Sequence, residues 1–484
     1  MSDEVRALEP KPLWNHFADL NAVPRASKKE ERVIAIMKAI GEDIGLATQV
    51  DETGNVIIKK PATPDMADRG TVALQSHLDM VHQKNADTDF DFATQGIDMF
   101  IDGDWVKARG TTLGADNGIG VAAIMAVLAS KDIAHPPLEA LFTIDEETGM
   151  TGAEGLKAGV LSAGILLNLD TEEDDELTIG CAGGIDVTAK GTYEQEALPS
   201  GYKAFEIKLH GLTGGHSGGD IHLGRANANK LMNRFLLDCN KAFDLRVSTI
   251  DGGGLRNAIP RESIVIVACD PANEPDLMGA ITTYNDVLTA EYAVTDPNIA
   301  IQLTPTAAAG KAIQREAMLS LLQAIYACPN GIYRMSSDIE GLVQTSNNLA
   351  RVLVEDGSYT ILCLTRSSVD SEKMDEVAAI SSAFNLIGAN VSTSGSYPGW
   401  APKPEAPIVK IMSQLYKKIN DSEAHVSAIH AGLECGILGR NYPDMDMISF
   451  GPTIRGAHSP DERANISSVQ KFWDYLLETL KNTP

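Results

Sequence analysis

The sequence is poor in cysteine, in positive charge and in long apolar runs. Its 484 residues include only six cysteines, scattered along the chain without a CxxC pair. This spacing predicts reduced core residues of a cytoplasmic protein, and it argues against a disulfide framework or a thiolate metal site. The six are Cys181, Cys239, Cys269, Cys328, Cys363 and Cys435.

Basic residues are outnumbered, since Lys and Arg total 40 against 66 Asp and Glu, giving a net charge of −26. Nucleic acids and anionic membranes both favour a basic surface, so we expect neither as a partner. No stretch approaches the ~18 apolar residues of a membrane span. The first residues, MSDEVRALEPKPLW, lack the basic and apolar segments of a secretory signal. We therefore expect a cytoplasmic protein.

A chain of 484 residues is longer than a single hydrophobic core usually accommodates, so two domains are expected. Residues 1–185 alternate apolar strands with helices, which predicts an α/β domain with a mixed, mostly parallel sheet flanked by helices. Residues 186–400 follow the order strand–helix–strand–strand–helix–strand, with later strands predicted at 342–347 and 351–366. That order is typical of an α+β, ferredoxin-like sandwich, and the segment is long enough for two such lobes. The alternation of apolar strands and helices seen in 1–185 returns over 401–484. We therefore predict a catalytic domain interrupted by an inserted lid domain.

Five side chains of the kinds that bind metals follow apolar strands or lie in glycine-rich turns. They are His77 in SHLDM, Asp116 in GADNGIG, Glu147 in DEETG, Asp170 in LNLDTEE and His458 in RGAHSPDE. Ligands of open α/β sheets bind beyond the carboxyl ends of the strands, so side chains placed there can converge. Two imidazoles and three carboxylates, without a thiolate, suit Zn²⁺, Mn²⁺ or Co²⁺ at a catalytic centre. They would serve two ions if one carboxylate bridges them.

Two further acids adjoin these candidates. Asp79 lies two residues after His77, so along a strand both side chains point the same way and the carboxylate can orient the imidazole. Glu146 precedes Glu147 on a turn, where neighbouring side chains face different directions. One glutamate can then bind metal while the other acts as a general base. The combination predicts a two-metal hydrolase.

Each candidate taken alone has a simpler explanation. His77 and Asp79 could form an ordinary ion pair at a strand end, and Asp116 could cap the helix that follows it. The acidic run TEEDDE at 171–176 is predicted to be a solvated loop. The hydrolase prediction therefore depends on five such residues occurring at corresponding places in one sheet.

Several motifs together resemble the co-catalytic di-zinc peptidases of the carboxypeptidase/aminoacylase type, over essentially the whole chain. They are SHLDMV, GTTLGADNGIG, DEETGMTG, NLDTEE, GGHSGGDI and RGAHSPDE. Within that family the resemblance is to cytosolic dipeptidases. It implies hydrolysis of dipeptides with free amino and carboxyl ends, including Xaa-His dipeptides such as carnosine. It also implies two Zn²⁺ per chain, replaceable by Co²⁺ or Mn²⁺, and a homodimer.

The resemblance implies a role for each metal-site residue. His77 and Asp170 would bind one ion, Glu147 and His458 the other, and Asp116 would bridge them. Asp79 would orient His77, and Glu146 would be the general base that deprotonates the metal-bound water. The peptide bond after the bridging aspartate is commonly cis in the family, which places it here at Asp116-Asn117.

The same resemblance assigns substrate-binding roles to His216, Asn257, Arg366 and Gly432. Arg366 would pair with the free carboxylate of the substrate, and His216 would help to stabilise the oxyanion. In dimeric relatives the histidine corresponding to His216 reaches the partner's active site, whereas a two-lobed lid could supply it within one chain. The alternative functions are a tripeptide aminopeptidase, an N-acyl amino acid deacylase on the same scaffold, or a metal-free binding protein that kept the fold.

Overall fold

The computed structural model describes residues 3–307 and 310–484, which form two compact units. The first unit comprises Met1–Gly180, Trp400–Ala428 and Leu433–Pro484, and the second comprises Cys181–Gly399 and Ile429–Gly432. All six cysteines are buried. No helix in the described ranges is long and apolar enough to cross a membrane.

The first unit alternates strands and helices in both of its long segments. Its amino-terminal elements are α1 (Asp3–Arg6), α2 (Lys11–Asn21), α3 (Glu31–Asp43), β1 (Ala47–Val50), β2 (Val56–Lys60), β3 (Val72–His77), β4 (Met99–Asp102), β5 (Trp105–Ala108), α4 (Ala115–Ala129), β6 (Leu138–Thr143), α5 (Thr151–Gly155), β7 (Ile165–Asn168) and β8 (Glu176–Cys181).

The second unit contributes eleven strands and four α-helices among the described residues. They are β9 (Gly183–Thr192), β10 (Gln195–Ala197), β11 (Lys203–His210), α6 (Ala228–Ala242), β12 (Leu245–Gly253), β13 (Ser263–Cys269), α7 (Glu274–Glu291), β14 (Ala300–Thr306), β15 (Lys311–Ile313), α8 (Arg315–Ala327), β16 (Gly331–Met335), β17 (Val343–Glu355), β18 (Ser358–Ser367), α9 (Asp370–Asn385) and β19 (Asn390–Tyr397). The chain then returns to the first unit with α10 (Pro407–Asn420), β20 (His425–Ile429), α11 (Glu434–Asn441), β21 (Asp446–Ser449), β22 (Ile454–Arg455), β23 (Arg463–Asn465) and α12 (Ile466–Asn482).

The first unit is built on an eight-stranded sheet in the order β1-β2-β6-β3-β7-β21-β8-β20. Its centre is parallel, because β3 pairs in parallel with both β6 and β7, and β21 pairs in parallel with β7. Every residue of β3 and β6 is buried, as expected for central strands covered on both faces. The predicted mixed α/β sheet is confirmed. The carboxyl ends of β6, β3, β7 and β21 consequently lie side by side along one edge.

Helix α4 holds one of the turns beside that edge. Its residues from Gly118 to Leu128 are all buried, and it packs against α2 and β3. A helix that is apolar all round is stable only when it is covered on all sides. The turn at its start, which carries Asp116, is therefore anchored to the core of the unit.

The second unit contains a nine-stranded sheet in the order β14-β11-β13-β12-β17-β18-β9-β19, with β16 paired to β17. The chain order β11-α6-β12-β13-α7-β14 with spatial order β14-β11-β13-β12 describes one ferredoxin-like lobe. The spatial order β17-β18-β9-β19, with α8 and α9, describes a second. The predicted α+β insert is confirmed, and its two lobes share one continuous sheet and one hydrophobic core.

Two details of the second lobe differ from the sequence prediction. Its first strand, β9, precedes the entire first lobe instead of following residue 310. The predicted break between 347 and 351 is wrong, because β17 runs unbroken through it with a register shift between Leu349 and Arg351. The real turn is Asp356-Gly357, where both residues have positive φ. Asp-Gly is a strong hairpin signal, since two-residue turns of this kind need positive φ.

Candidate active site

The five candidate metal ligands lie after neighbouring strands of the first unit's sheet or at the start of α4. His77 is the last residue of β3, Glu147 follows β6 and Asp170 follows β7, while His458 lies further along the chain after β21, beyond the short strand β22. Asp116 lies in the first turn of α4. The structure thus brings all five to one edge of the sheet.

One group of side chains forms around His77. Its Nε2 lies 3.2 Å from Asp116 Oδ1 and 3.4 Å from Asp170 Oδ1. One ligand atom from each residue lies within 4.8 Å of the others, which is close enough for a single ion. The imidazole and the Asp170 side chain are almost completely buried.

A second group forms around His458, a residue with positive φ. Its Nε2 lies 2.9 Å from Glu147 Oε2 and 3.4 Å from Asp116 Oδ2. These three residues also place one ligand atom each within 4.8 Å of the others. Asp116 belongs to both groups and offers a different oxygen to each, which is the geometry of a bridging carboxylate. Asp116 has non-helical φ/ψ at a kink in the first turn of α4, but both of its carboxylate oxygens face imidazoles, which argues against the helix-cap alternative.

The electrostatics of both groups favour added positive charge. Hydrogen bonds to Asp116 and Glu147 raise the pKa of His458 to about 11. Burial opposes protonation of His77, but Asp170, Asp116 and Asp79 together raise its pKa well above the usual value. Glu147 Oε1 is buried without a hydrogen-bond partner among the described residues. Imidazole and carboxylate donors with such an orphaned oxygen fit a pair of divalent cations.

The peptide bond Asp116-Asn117 is cis, as the resemblance implied. The Asn117 side chain donates to the carbonyl of Leu169 at 2.8 Å and also contacts Asp170 Oδ1. The residue that follows Asp116 therefore holds a second candidate ligand in place.

Asp79 contacts both the imidazole and the glutamate turn. His77 Nδ1 lies 3.2 Å from the Asp79 carbonyl oxygen and 3.4 Å from its carboxylate. The carboxylate also accepts the backbone N–H of Glu146 at 3.0 Å and that of Glu147 at 3.3 Å. One side chain thus orients a ligand and fixes the turn that carries two candidate catalytic glutamates.

Glu146 belongs to neither metal group of the described residues. Burial raises the pKa of Glu146 well above the usual carboxyl value; the charges of Asp170 and Glu434 add to this, and His77 opposes it. A carboxyl group whose pKa is shifted towards neutrality is suited to taking up and releasing a proton at neutral pH.

A buried polar layer lies beneath the candidate ligands and was missed in the sequence. Glu434, at the start of α11, accepts from Gln75 Nε2 and Thr143 Oγ1, each at 2.6 Å. Asn168 in turn donates to Gln75 at 2.5 Å. Burial, with Asp170 and Asp79 adding to it, raises the pKa of Glu434 to about 7. The motif HAGLECG contains Glu434, but the residues next to it in the sequence do not indicate which side chains form hydrogen bonds with it.

The prediction of a solvated loop at 171–176 is wrong in part. Only Asp175 is exposed, and the other five residues are half-buried. Asp174 pairs with Lys471 at 3.1 Å. Burial, followed by the charges of Asp116 and Asp170, raises the pKa of Glu172 to about 8.

Three of the predicted substrate-binding segments meet within the second unit. His216 Nδ1 accepts the N–H groups of Gly218 at 3.2 Å and Gly219 at 2.9 Å, so the neutral ring carries its proton on Nε2. The carbonyl of Asn257 accepts the N–H of Ser217 at 2.8 Å. A Cβ on Gly218 would lie 3.1 Å from Arg366 Nε, so the His216 loop approaches that guanidinium closely.

Arg366 is 6% exposed and donates to the hydroxyl of Tyr397 at 2.9 Å. Its Nε has no hydrogen-bond partner within the described ranges. His430, two residues before Gly432, pairs through Nε2 with Ser346 Oγ at 2.7 Å. Burial and the Arg366 charge lower the pKa of His430 to about 3, so this ring is neutral. Tyr397 and His430 are polar groups near Arg366 that sequence reasoning missed.

Comparison with known proteins gives consistent matches. Residues 73–482 match the model of peptidase family M20/M25/M40. The chain is 44% identical over 481 residues to the cytosol non-specific dipeptidase of Escherichia coli (strain K12), covering 99% of each protein. The crystal structure of aminoacylhistidine dipeptidase from Vibrio alginolyticus is 45% identical, with a TM-score of 0.95 over 100% of this chain and 99% of that one.

A more distant structure shares only the fold. Aminopeptidase PepT from Bacillus cereus is 15% identical, with a TM-score of 0.57 over 98% of each chain.

Proposed function

The chain belongs to peptidase family M20/M25/M40, and on that premise we propose that it is a metal-dependent dipeptidase. Its substrates are dipeptides with free amino and carboxyl ends, Xaa-His dipeptides such as carnosine among them. The 44% and 45% identical relatives, a cytosol non-specific dipeptidase and an aminoacylhistidine dipeptidase, support this substrate class. The cytoplasmic location is proposed from the same cytosolic relative.

The observation that carries the proposal is the position of Asp116 between two groups of ligands. Each of its oxygens lies 3.2–3.4 Å from a different imidazole. We assign His77 and Asp170 to one ion and Glu147 and His458 to the other, with two Zn²⁺ per chain that Co²⁺ or Mn²⁺ can replace. Two such ions would polarise the peptide carbonyl and make a water molecule more acidic.

The remaining chemistry belongs to side chains of the first unit. Glu146 would take a proton from the attacking water and deliver it to the leaving amine, and its raised pKa supports both steps. Asp79 would keep His77 in one tautomer and hold the backbone of Glu146 through the 3.0 Å hydrogen bond.

Substrate selection is assigned to the second unit, which we propose acts as a lid and dimerisation domain. Arg366 would pair with the free carboxylate of the dipeptide through its planar guanidinium, which Tyr397 orients. His216 would donate from Nε2 to the oxyanion, Gly432 would contact the substrate backbone, and Asn257 would also take part in substrate binding. We also propose a homodimer, which a measurement of mass in solution tests.

A substrate panel tests this function. We expect rapid hydrolysis of dipeptides, including carnosine, and weak hydrolysis of tripeptides and N-acetyl amino acids at equal concentration with Zn²⁺ present. Faster cleavage of tripeptides would instead indicate an aminopeptidase, and faster cleavage of N-acetyl amino acids a deacylase. A chelator-treated sample of the same protein is the control for metal dependence.

Replacing Arg366 with alanine tests carboxylate recognition separately. A hydrogen bond to a charged group contributes about 1.5–3 kcal/mol, so we expect kcat/KM for a dipeptide to fall roughly 10–100-fold. Hydrolysis of the matching dipeptide amide should change much less, since it has no carboxylate to lose.

The control is Arg334→Ala, which removes an exposed arginine of the same unit that pairs with Glu372 at 2.8 Å. An unchanged ratio of dipeptide to dipeptide-amide hydrolysis in Arg366→Ala would contradict the assignment.

A further inference from the structure

Glu462 is a buried carboxylate, 3% exposed, four residues after His458. It accepts four consecutive backbone N–H groups of the loop that carries Asp116. Oε2 lies 2.7 Å from the nitrogen of Leu113 and 3.0 Å from that of Gly114. Oε1 lies 2.7 Å from the nitrogen of Ala115 and 3.2 Å from that of Asp116. Successive N–H groups that converge in this way form an anion-binding nest, and Glu462 fills it.

Arg25 connects the same loop to the one that follows β3. Its Nη1 donates to the carbonyls of Leu78 at 3.0 Å and Asp79 at 3.1 Å. Its Nη2 donates to the carbonyl of Gly114 at 2.5 Å. The approach is close, because a Cβ on Gly114 would lie 2.4 Å from Nη2. Glycine is required at this point, which also has φ +69°.

The charge of Arg25 is balanced from the same region. Burial lowers the pKa of Arg25 to about 10, while Glu462 and Asp79 act in the opposite direction. The guanidinium is therefore charged at neutral pH. Two buried charged side chains therefore bind the same loop. Arg25 donates to one of its carbonyl groups, and Glu462 accepts its N–H groups.

We propose that Glu462 and Arg25 are positioning residues of the metal site. Glu462 fixes the Asp116 loop relative to the loop of His458, and these two loops supply Asp116 and His458 to the same ligand group. Arg25 fixes the Asp116 loop relative to His77 and Asp79. Ligands from segments that are remote in the sequence are thereby preorganised before an ion binds. The inference rests on the metal site of the proposed function and is independent of the substrate.

Glu462→Gln tests the inference with the metal alone. The carboxamide nitrogen cannot accept a hydrogen bond, so two of the four N–H contacts are lost while the size of the side chain is kept. Loss of such outer contacts typically weakens metal binding by about 10–100-fold. We expect a weakening of that size for Zn²⁺, measured by competition with a chromophoric chelator, and an altered visible spectrum of the Co²⁺-loaded protein. At saturating Zn²⁺, kcat should be lower and KM nearly unchanged.

Glu139→Gln is the matched control. Glu139 is another buried carboxylate of the first unit. It accepts the N–H groups of Ser162 at 2.7 Å and Ala163 at 3.1 Å and pairs with Lys59 at 2.7 Å, and none of these partners lies in a ligand loop of the described residues. It should lose stability but keep native Zn²⁺ affinity.

Native Zn²⁺ affinity with a native Co²⁺ spectrum in Glu462→Gln would overturn the inference, and so would equal weakening in Glu139→Gln. If Glu462→Gln does not fold, Arg25→Lys is measured in the same way against the same expectation. A native chain that binds no Zn²⁺ would instead overturn the proposed metal site itself.

Discussion

Replacing Glu146 with alanine is expected to reduce kcat by roughly 10²–10⁴-fold while the protein keeps its metal and its fold. The reason is that the turn after β6 carries both a candidate metal ligand, Glu147, and a candidate general base, Glu146. Glu147 Oε2 lies 2.9 Å from His458 Nε2 and belongs to a ligand group, whereas Glu146 belongs to neither group of the described residues. Loss of Glu146 therefore removes a proton acceptor and leaves the ligand set complete.

Steady-state kinetics with metal analysis of the same preparation checks this result. Glu154→Ala serves as the control, since Glu154 lies shortly after the same turn and forms a surface ion pair with Arg440 at 2.6 Å. Near-native turnover in Glu146→Ala with full metal content would show that another group accepts the proton.

The strand-end residues could be predicted because their signal is local. An apolar run followed by His77, by Glu146 and Glu147, or by Asp170 marks both a buried strand and the point where it leaves the sheet. The parallel order of β6, β3 and β7 then brings those ends together. The structure places these candidates side by side, and their catalytic roles stay proposals.

The supporting residues could not be predicted, since each acts on a distant part of the chain. Glu462 lies 349 residues from Leu113, Glu434 lies 359 residues from Gln75, and Arg25 lies 53 residues from Leu78. Glu462 even stands inside the motif RGAHSPDE, but a sequence alone does not show which N–H groups a carboxylate will accept. The place of β9 in the second lobe could not be predicted for the same reason, because the whole first lobe separates β9 in the sequence from the strands it pairs with.

Replacing Asp116 with alanine is expected to weaken both metal positions, whereas His458→Ala should weaken one. Asp116 Oδ1 faces the imidazole of His77 and Oδ2 faces that of His458, so a single side chain supports both groups. Loss of an outer-shell partner alone costs about 10–100-fold in affinity or activity. Removing a ligand shared by two ions should therefore reduce activity by more than about 100-fold.

Zinc content per chain after dialysis against a weak chelator distinguishes the two variants. Asp116→Ala should retain less zinc than His458→Ala, because the His77 group keeps all of its ligands in the latter. Asp51→Ala is the control for an aspartate that only shapes a turn, since Asp51 accepts the N–H groups of Thr53, Gly54 and Asn55 at 2.9 Å. Equal zinc content in Asp116→Ala and His458→Ala would mean that Asp116 serves one ion, and the bridging assignment would then fail while a metal-dependent hydrolase remained.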